Sequence, residues 1–217
     1  MHQVPERRTG SIMGFYNTYI MPTMVHLACG QKPTMKQRAK LIPRASGRVL
    51  EIGIGSGLNI PFYDASKVDH LWGIDPSSEM WSIAQKNAGG HHIDAEFMQA
   101  GAESIPLEND SADTVVITYT LCTVPDVATA LQEIKRVLKP GGELLFCEHG
   151  EAPDASVARW QNRLNPIWGM LGGGCHLNRP IPQLLANSGF TSSDLQTMYI
   201  PGWKPASFNY WGSAHSD

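Results

Sequence analysis

Apolar residues along this chain come in short runs separated by polar and glycine-rich stretches. The runs at Arg48–Ile52, His70–Ile74, Glu96–Ala100, Thr114–Tyr119 and Glu143–Cys147 are too short for helices, and they predict strands, most of them buried on both faces. Between the last two, Val127, Leu131, Ile134 and Leu138 recur at i, i+4, i+7 and i+11, one apolar stripe of a helix. Asp126 stands where an N-cap is wanted, and Lys139-Pro140-Gly141-Gly142 ends the pattern. A second helix is expected over Ser77–Ala88 and a broad helical region near Ala155–Leu171. Strands alternating with helices mean βαβ units and a mostly parallel sheet. Two later runs, Leu195–Ile200 and Phe208–Ala214, are joined by Pro201-Gly202 and predict an antiparallel hairpin on the sheet edge. No repeat, low-complexity tract or composition break divides the 217 residues, which read as one domain. Its parts are a helical N-terminal segment 1–46, a core 47–150 and a C-terminal part 151–217.

The 42% hydrophobic content is enough to bury a core and excludes disorder for most of the chain. Seventeen Lys and Arg against twenty Asp and Glu give a net charge of -3 with no long basic run, so nucleic acid is not expected as a partner. Cys29, Cys122, Cys147 and Cys175 are far apart in sequence and form no C-x-x-C pair. They suggest neither a zinc knuckle nor a disulfide framework, and read as reduced thiols in a cytoplasmic protein. The uncharged stretch Thr9–Gln31 is broken by Asn17, Pro22, His26 and three glycines. It is expected to be a lid carrying Phe15, Tyr16 and Tyr19 rather than a membrane anchor.

The most informative chemistry follows the first strand, in Glu51-Ile52-Gly53-Ile54-Gly55-Ser56-Gly57-Leu58-Asn59. Glycines allow positive φ and close backbone approach, and such a turn opening a helix offers free N–H groups to an anionic ligand. A dinucleotide site wants G-x-G-x-x-G, and the last of those positions is Leu58. A P-loop lacks its Gly-Lys-Ser/Thr here. Roughly 20 residues past the first glycine, Asp75 ends the second strand, where a carboxylate can accept both ribose hydroxyls of a nucleoside.

Glu51–Gly57, Asp75, Ala102-Glu103-Ser104-Ile105-Pro106-Leu107 with Ser111-Ala112-Asp113, and Arg136-Val137-Leu138-Lys139-Pro140-Gly141-Gly142 together resemble the successive motifs of class I S-adenosylmethionine-dependent methyltransferases, in the methyltransferase type 11 group. The resemblance implies an α/β, Rossmann-like fold with a seven-stranded sheet, its last strand antiparallel, and helices on both faces. It implies S-adenosyl-L-methionine as cofactor, with S-adenosyl-L-homocysteine as product. Gly53 and Gly55 would lie against the methionine portion, with Glu51, Gly57, Asn59 and Thr118 also among the cofactor-binding residues. Asp75 would hold the ribose, with Pro76 and Ser77 or Ser78 beside the adenine. Many relatives place an Asp two residues before the position of Glu103 to hold the adenine amino group. Here that position is Gly101, so adenine contact falls to Ala102 and Glu103.

On the acceptor side, Glu148-His149, Trp160, Asn165-Pro166, Trp168 and Gly174-Cys175-His176-Leu177-Asn178-Arg179 are similar to a subgroup that includes small-molecule thiol S-methyltransferases. The Asp preceding Gly-Cys in those enzymes is Gly173 here. The resemblance therefore implies methyl transfer to a small apolar acceptor at sulfur, with quinone-type C- or O-methylation, phospholipid N-methylation and a non-catalytic cofactor-binding protein as alternatives. His149 and Tyr119 are the candidate catalytic residues, because each follows a strand whose C-terminal end faces the ligand side of an open α/β sheet. Cys122 is expected near them. Trp160, Trp168, Met170, Trp203 and Trp211 are expected to wall an apolar acceptor pocket. Cys175 and His176 lack companion ligands and His91-His92 sits in a loop, so no metal is expected. The chain is expected to act as a monomer or homodimer, without membrane contact.

Overall fold

The computed structural model describes residues 26–88 and 93–216. Phe15, Tyr16 and Tyr19 of the expected lid, and His91-His92, lie outside them. In chain order the elements are α1 (Lys32–Leu41), β1 (Gly47–Ile52), a 3₁₀ turn (Ile60–Phe62), β2 (Val68–Asp75), α2 (Ser78–Ala88), β3 (Ala95–Gln99), β4 (Ala112–Thr118), α3 (Val127–Val137), β5 (Leu138–His149), α4 (Ala155–Leu171), α5 (Ile181–Asn187), β6 (Phe190–Ser192), β7 (Gln196–Tyr199) and β8 (Phe208–Ser216). No helix among the described residues is long and apolar enough to cross a membrane.

The sheet runs β3-β2-β1-β4-β5-β8-β6, with β7 also on β8. Strands β1 to β5 pair in parallel and β8 runs antiparallel to β5. Successive strand residues feed two cores. Leu50, Trp72, Val115, Leu144 and Phe146 pack with Leu131 and Ile134 of α3 on one face. Val49, Leu71, Val116 and Leu145 pack with Leu41, Ile42 and Tyr63 on the other. The continuous apolar runs thus follow from cover on both faces. In α3, Val127, Ala130, Leu131, Ile134 and Val137 are buried. At about 1.5–3 kcal/mol per large side chain, that stripe outweighs propensity differences of tenths of a kcal/mol.

Three expectations need correction. The helix α3 stops at Val137, and Leu138 is already extended (ψ 132°), pairing with Ala112. Lys139 precedes Pro140, whose ring disfavours helical backbone at the residue before it, so β5 begins earlier than the apolar run alone implied. Among the described residues the sheet has eight strands rather than seven, because the edge partner of β8 is split into β6 and β7. Asp194 sits in the break, its carboxylate accepting from Ser213 N (2.6 Å) and paired with Arg44 (2.7 Å). The glycine turn after β1 opens no α-helix. It runs into the single 3₁₀ turn Ile60–Phe62, which contains Pro61.

Candidate active site

The C-terminal ends of β1 and β4 are neighbours with their connections leaving in opposite directions, the switch point at which open α/β sheets bind ligands. A cleft of about 290 Å³ opens there. Its floor is the turn after β1. Gly53 has φ +68°, and a Cβ on it would stand 2.3 Å from Thr120 Oγ1, so only glycine fits. Gly53 N and Ile54 N donate to Ile74 O, tying the turn to β2. Asp75 Oδ2 accepts from Gly55 N (3.0 Å) and Oδ1 from Ser77 N (2.8 Å). Burial pushes this carboxyl up from its ordinary value, and those two N–H bonds only partly offset it.

Gly53, Gly55, Asp75, Pro76, Ser77, Ala102, Glu103 and Thr118 all line the cleft. Gly101 lines it too, and Glu103 Oε2 lies 3.0 Å from where a Cβ on Gly101 would stand. The Glu103 carboxylate thus takes space that a longer side chain at 101 would occupy. Glu51, Gly57 and Asn59 do not reach the cleft but sit behind its floor. Asn59 Nδ2 donates to Glu51 Oε1 (3.0 Å) and Tyr63 OH to Glu51 Oε2 (2.7 Å). Burial raises Glu51 to about 7 in spite of the hydrogen bonds it accepts.

Sequence reasoning missed Arg38. It comes from α1, is 5% exposed, and donates through Nη1 to Asn59 Oδ1 (2.7 Å) and Thr118 Oγ1 (2.5 Å). It lines the cleft, and its buried Nε has no partner among the described residues. One Arg in a polar helix carries no sequence signal, because only the fold turns it inward. His26 and Cys29, from the described end of the expected lid segment, also line the cleft.

The acceptor-side residues fall differently. Tyr119 holds a left-handed backbone (φ +53°), but its hydroxyl donates to Asn209 Oδ1 (2.8 Å) and is committed there. Tyr119 also lines the cleft. His149 stands outside the cleft wall, with Nε2 3.2 Å from Cys175 Sγ and a buried Nδ1 that has no partner among the described residues. Burial pulls the His149 ring down, but its contact with the Cys175 sulfur outweighs this and leaves it raised. Cys175 is pulled below the thiol range by Cys122, His149 and the Trp168 indole, against its burial. Trp168 Nε1 donates to Cys175 Sγ at 3.3 Å. Glu148 Oε1 accepts from Thr120 N (2.7 Å) and Leu121 N (3.0 Å), fixing the turn after β4, and burial raises it to about 7. His176 faces Asn165, not Cys175. Of the expected aromatic wall, Trp160, Met170 and Trp203 are exposed and Trp211 lies under Lys40. Only Trp168 joins the Cys175 cluster.

A parallel 3-2-1-4-5 sheet continued by an antiparallel strand, with an acid at the end of β2 over a glycine turn, defines a Rossmann-like class I methyltransferase. The family described as "Methyltransferase domain" matches residues 50–146. Thiol S-methyltransferase TMT1B of Rattus norvegicus is 34% identical over 90% of this chain and 81% of its own. Demethylmenaquinone methyltransferase of Clavibacter sepedonicus is 33% identical over 54% of this chain and 47% of its own. The crystal structure of a SAM-dependent methyltransferase from Methanosarcina mazei superposes with a TM-score of 0.66 at 22% identity, covering 80% of this chain and 93% of its own. The chain belongs to the S-adenosylmethionine-dependent methyltransferase family, and S-adenosylmethionine is its cofactor.

The cleft fits that group. A floor stripped of Cβ atoms admits its amino-acid end, Asp75 offers acceptors for hydroxyls, and Arg38 brings a buried cation to an anionic end.

Proposed function

We propose that this chain methylates a small, fairly apolar thiol. The observation that carries the reading is the extent of similarity: the likeness to a thiol enzyme runs through cofactor and acceptor halves alike, whereas that to a quinone enzyme spans about half the chain. In this reading Gly53 and Gly55 take the methionine portion, with Arg38 toward its carboxylate. Asp75 takes the ribose, and Ala102 and Glu103, with Pro76 and Ser77 opposite, the adenine side. Glu51, Asn59, Gly57 and Thr118 hold the floor that those contacts need. The bound cofactor supplies an activated methyl group on a sulfonium. The protein then has to hold the nucleophile in line and keep water out, which is chiefly a proximity contribution. A thiol with a pKa of about 8.5 is a few per cent thiolate near pH 7, so little acid–base machinery is required. The acceptor enters beside Gly172 and Gly173, which line the cleft next to Cys175. His149 is a positioning residue acting through Cys175. The body of the chain is one domain, closed on the cleft side by the segment that carries His26 and Cys29.

The test is incubation of the purified protein with methyl-labelled S-adenosylmethionine and a panel of alkyl thiols, quinols and phosphatidylethanolamine. Label is expected in the thioether. Labelled quinol or lipid with untouched thiols would reject the sulfur assignment.

A further inference from the structure

Three residues that are distant in sequence meet beside the cleft. Cys122 comes from the turn after β4, His149 from the end of β5, and Cys175 from the loop after α4. Their ligand atoms all lie within 4.8 Å of one another. The sequence offered Cys175 and His176 as neighbours without companions, and the fold supplies two companions while turning His176 away. From this geometry we propose that Cys122, His149 and Cys175 bind a soft divalent cation of the zinc class.

The donor set suits such an ion, since two thiolates and one imidazole prefer zinc to magnesium or calcium. Zinc–sulfur bonds of about 2.3 Å in a tetrahedron place two thiolates about 3.8 Å apart, so the cluster closes on an ion with movements of about 1 Å. Two thiolates also balance the dication. The frame around the ligands is already built. His176 N donates to Cys122 O (2.8 Å), and Arg179 donates to Leu121 O and to Val124 O (2.7 Å), stapling the two cysteine-bearing segments together. The Trp168 indole on Cys175 Sγ is the kind of outer contact that orients a ligand thiolate. Three protein ligands leave a fourth position, as in catalytic zinc sites. Thr123, Gly172 and Gly173 put the cluster just behind the cleft wall. An acceptor thiolate arriving through the cleft is the soft ligand for that position, its proton leaving to solvent on binding. This last step rests on the thiol reading above.

The test uses the full chain, stripped with a chelator under reducing conditions and titrated with Co²⁺ or Zn²⁺ alone. One ion per chain is expected, with a thiolate-to-cobalt charge-transfer band. Cys122→Ser and Cys175→Ser should each weaken binding by more than the roughly ten- to hundred-fold that loss of a ligand's outer partner costs. In the unaltered protein, zinc should protect Cys122 and Cys175 from alkylation, read by mass spectrometry. No binding, a spectrum without the thiolate band, or equal alkylation with and without zinc would overturn the site. Thiol turnover should fall on stripping and return with zinc. Unchanged turnover would overturn the fourth-position role, whereas a cysteine-bound ion with no thiol methylated in either state would reject the thiol reading and leave the ion site standing.

Discussion

At the scale of single residues, the cleft depends on a few side chains that are small or absent. Gly53 and Gly55 both hold left-handed backbone, for which a side chain costs about 1–2 kcal/mol. Gly53→Ala would also drive a Cβ to 2.3 Å from Thr120 Oγ1, whereas at Gly55 the nearest atom is Met80 Cε at 3.4 Å. Gly53→Ala should therefore lower the urea midpoint clearly more than Gly55→Ala, and equal losses would show that the turn has room to move. Asp75→Ala should weaken S-adenosylhomocysteine binding by about 1–3 kcal/mol, the scale of leaving polar partners unmatched, in a calorimetric titration. Glu51 gives a pH signature. Its folded pKa of about 7 lies above the ordinary 4.5, so its contribution to stability is full below pH 4.5 and is lost as pH rises through 7. That loss is at most about 3 kcal/mol. Between pH 5 and pH 8, Glu51→Gln should lose less stability than the unaltered chain, and an identical loss would mean that the carboxylate is not held neutral. Gly53, Gly55 and Asp75 were legible in the sequence because backbone conformation and strand ends leave local marks. Arg38 and the place of Cys175 beside His149 and Cys122 were not, since both arise only when α1 and the loop after α4 fold against the sheet.

At the scale of elements, the strands and α3 were readable because cover on both faces demands unbroken apolar runs and one regular stripe. Boundaries failed where a proline or a side-chain clamp intervened. Pro140 moved the start of β5 forward, and Asp194 cut the edge strand in two, neither of which disturbs apolar periodicity. Since no residue of α3 lines the cleft, its stripe should be separable from the site. Leu131→Ala, fully buried, should cost about 2–5 kcal/mol in denaturant unfolding while leaving cofactor affinity unchanged under native conditions. A comparable loss of affinity would show that α3 helps to shape the cleft.

At the scale of the whole molecule, the order 3-2-1-4-5 puts the divergence of connections at β1 and β4, and the cleft residues that follow β1, β2 and β4 owe their position to that placement. Glu148 and Arg179 then fix the turn after β4 from the far side, so the cofactor space and the sulfur-bearing cluster share one wall. The whole account turns on what occupies that space. Its most direct test is a crystal structure of the chain with S-adenosylhomocysteine bound. The nucleoside should lie across Gly53 and Gly55 with its ribose hydroxyls on Asp75 and its adenine beside Glu103. A nucleoside seated elsewhere, with Asp75 still turned to Gly55 and Ser77 alone, would contradict it.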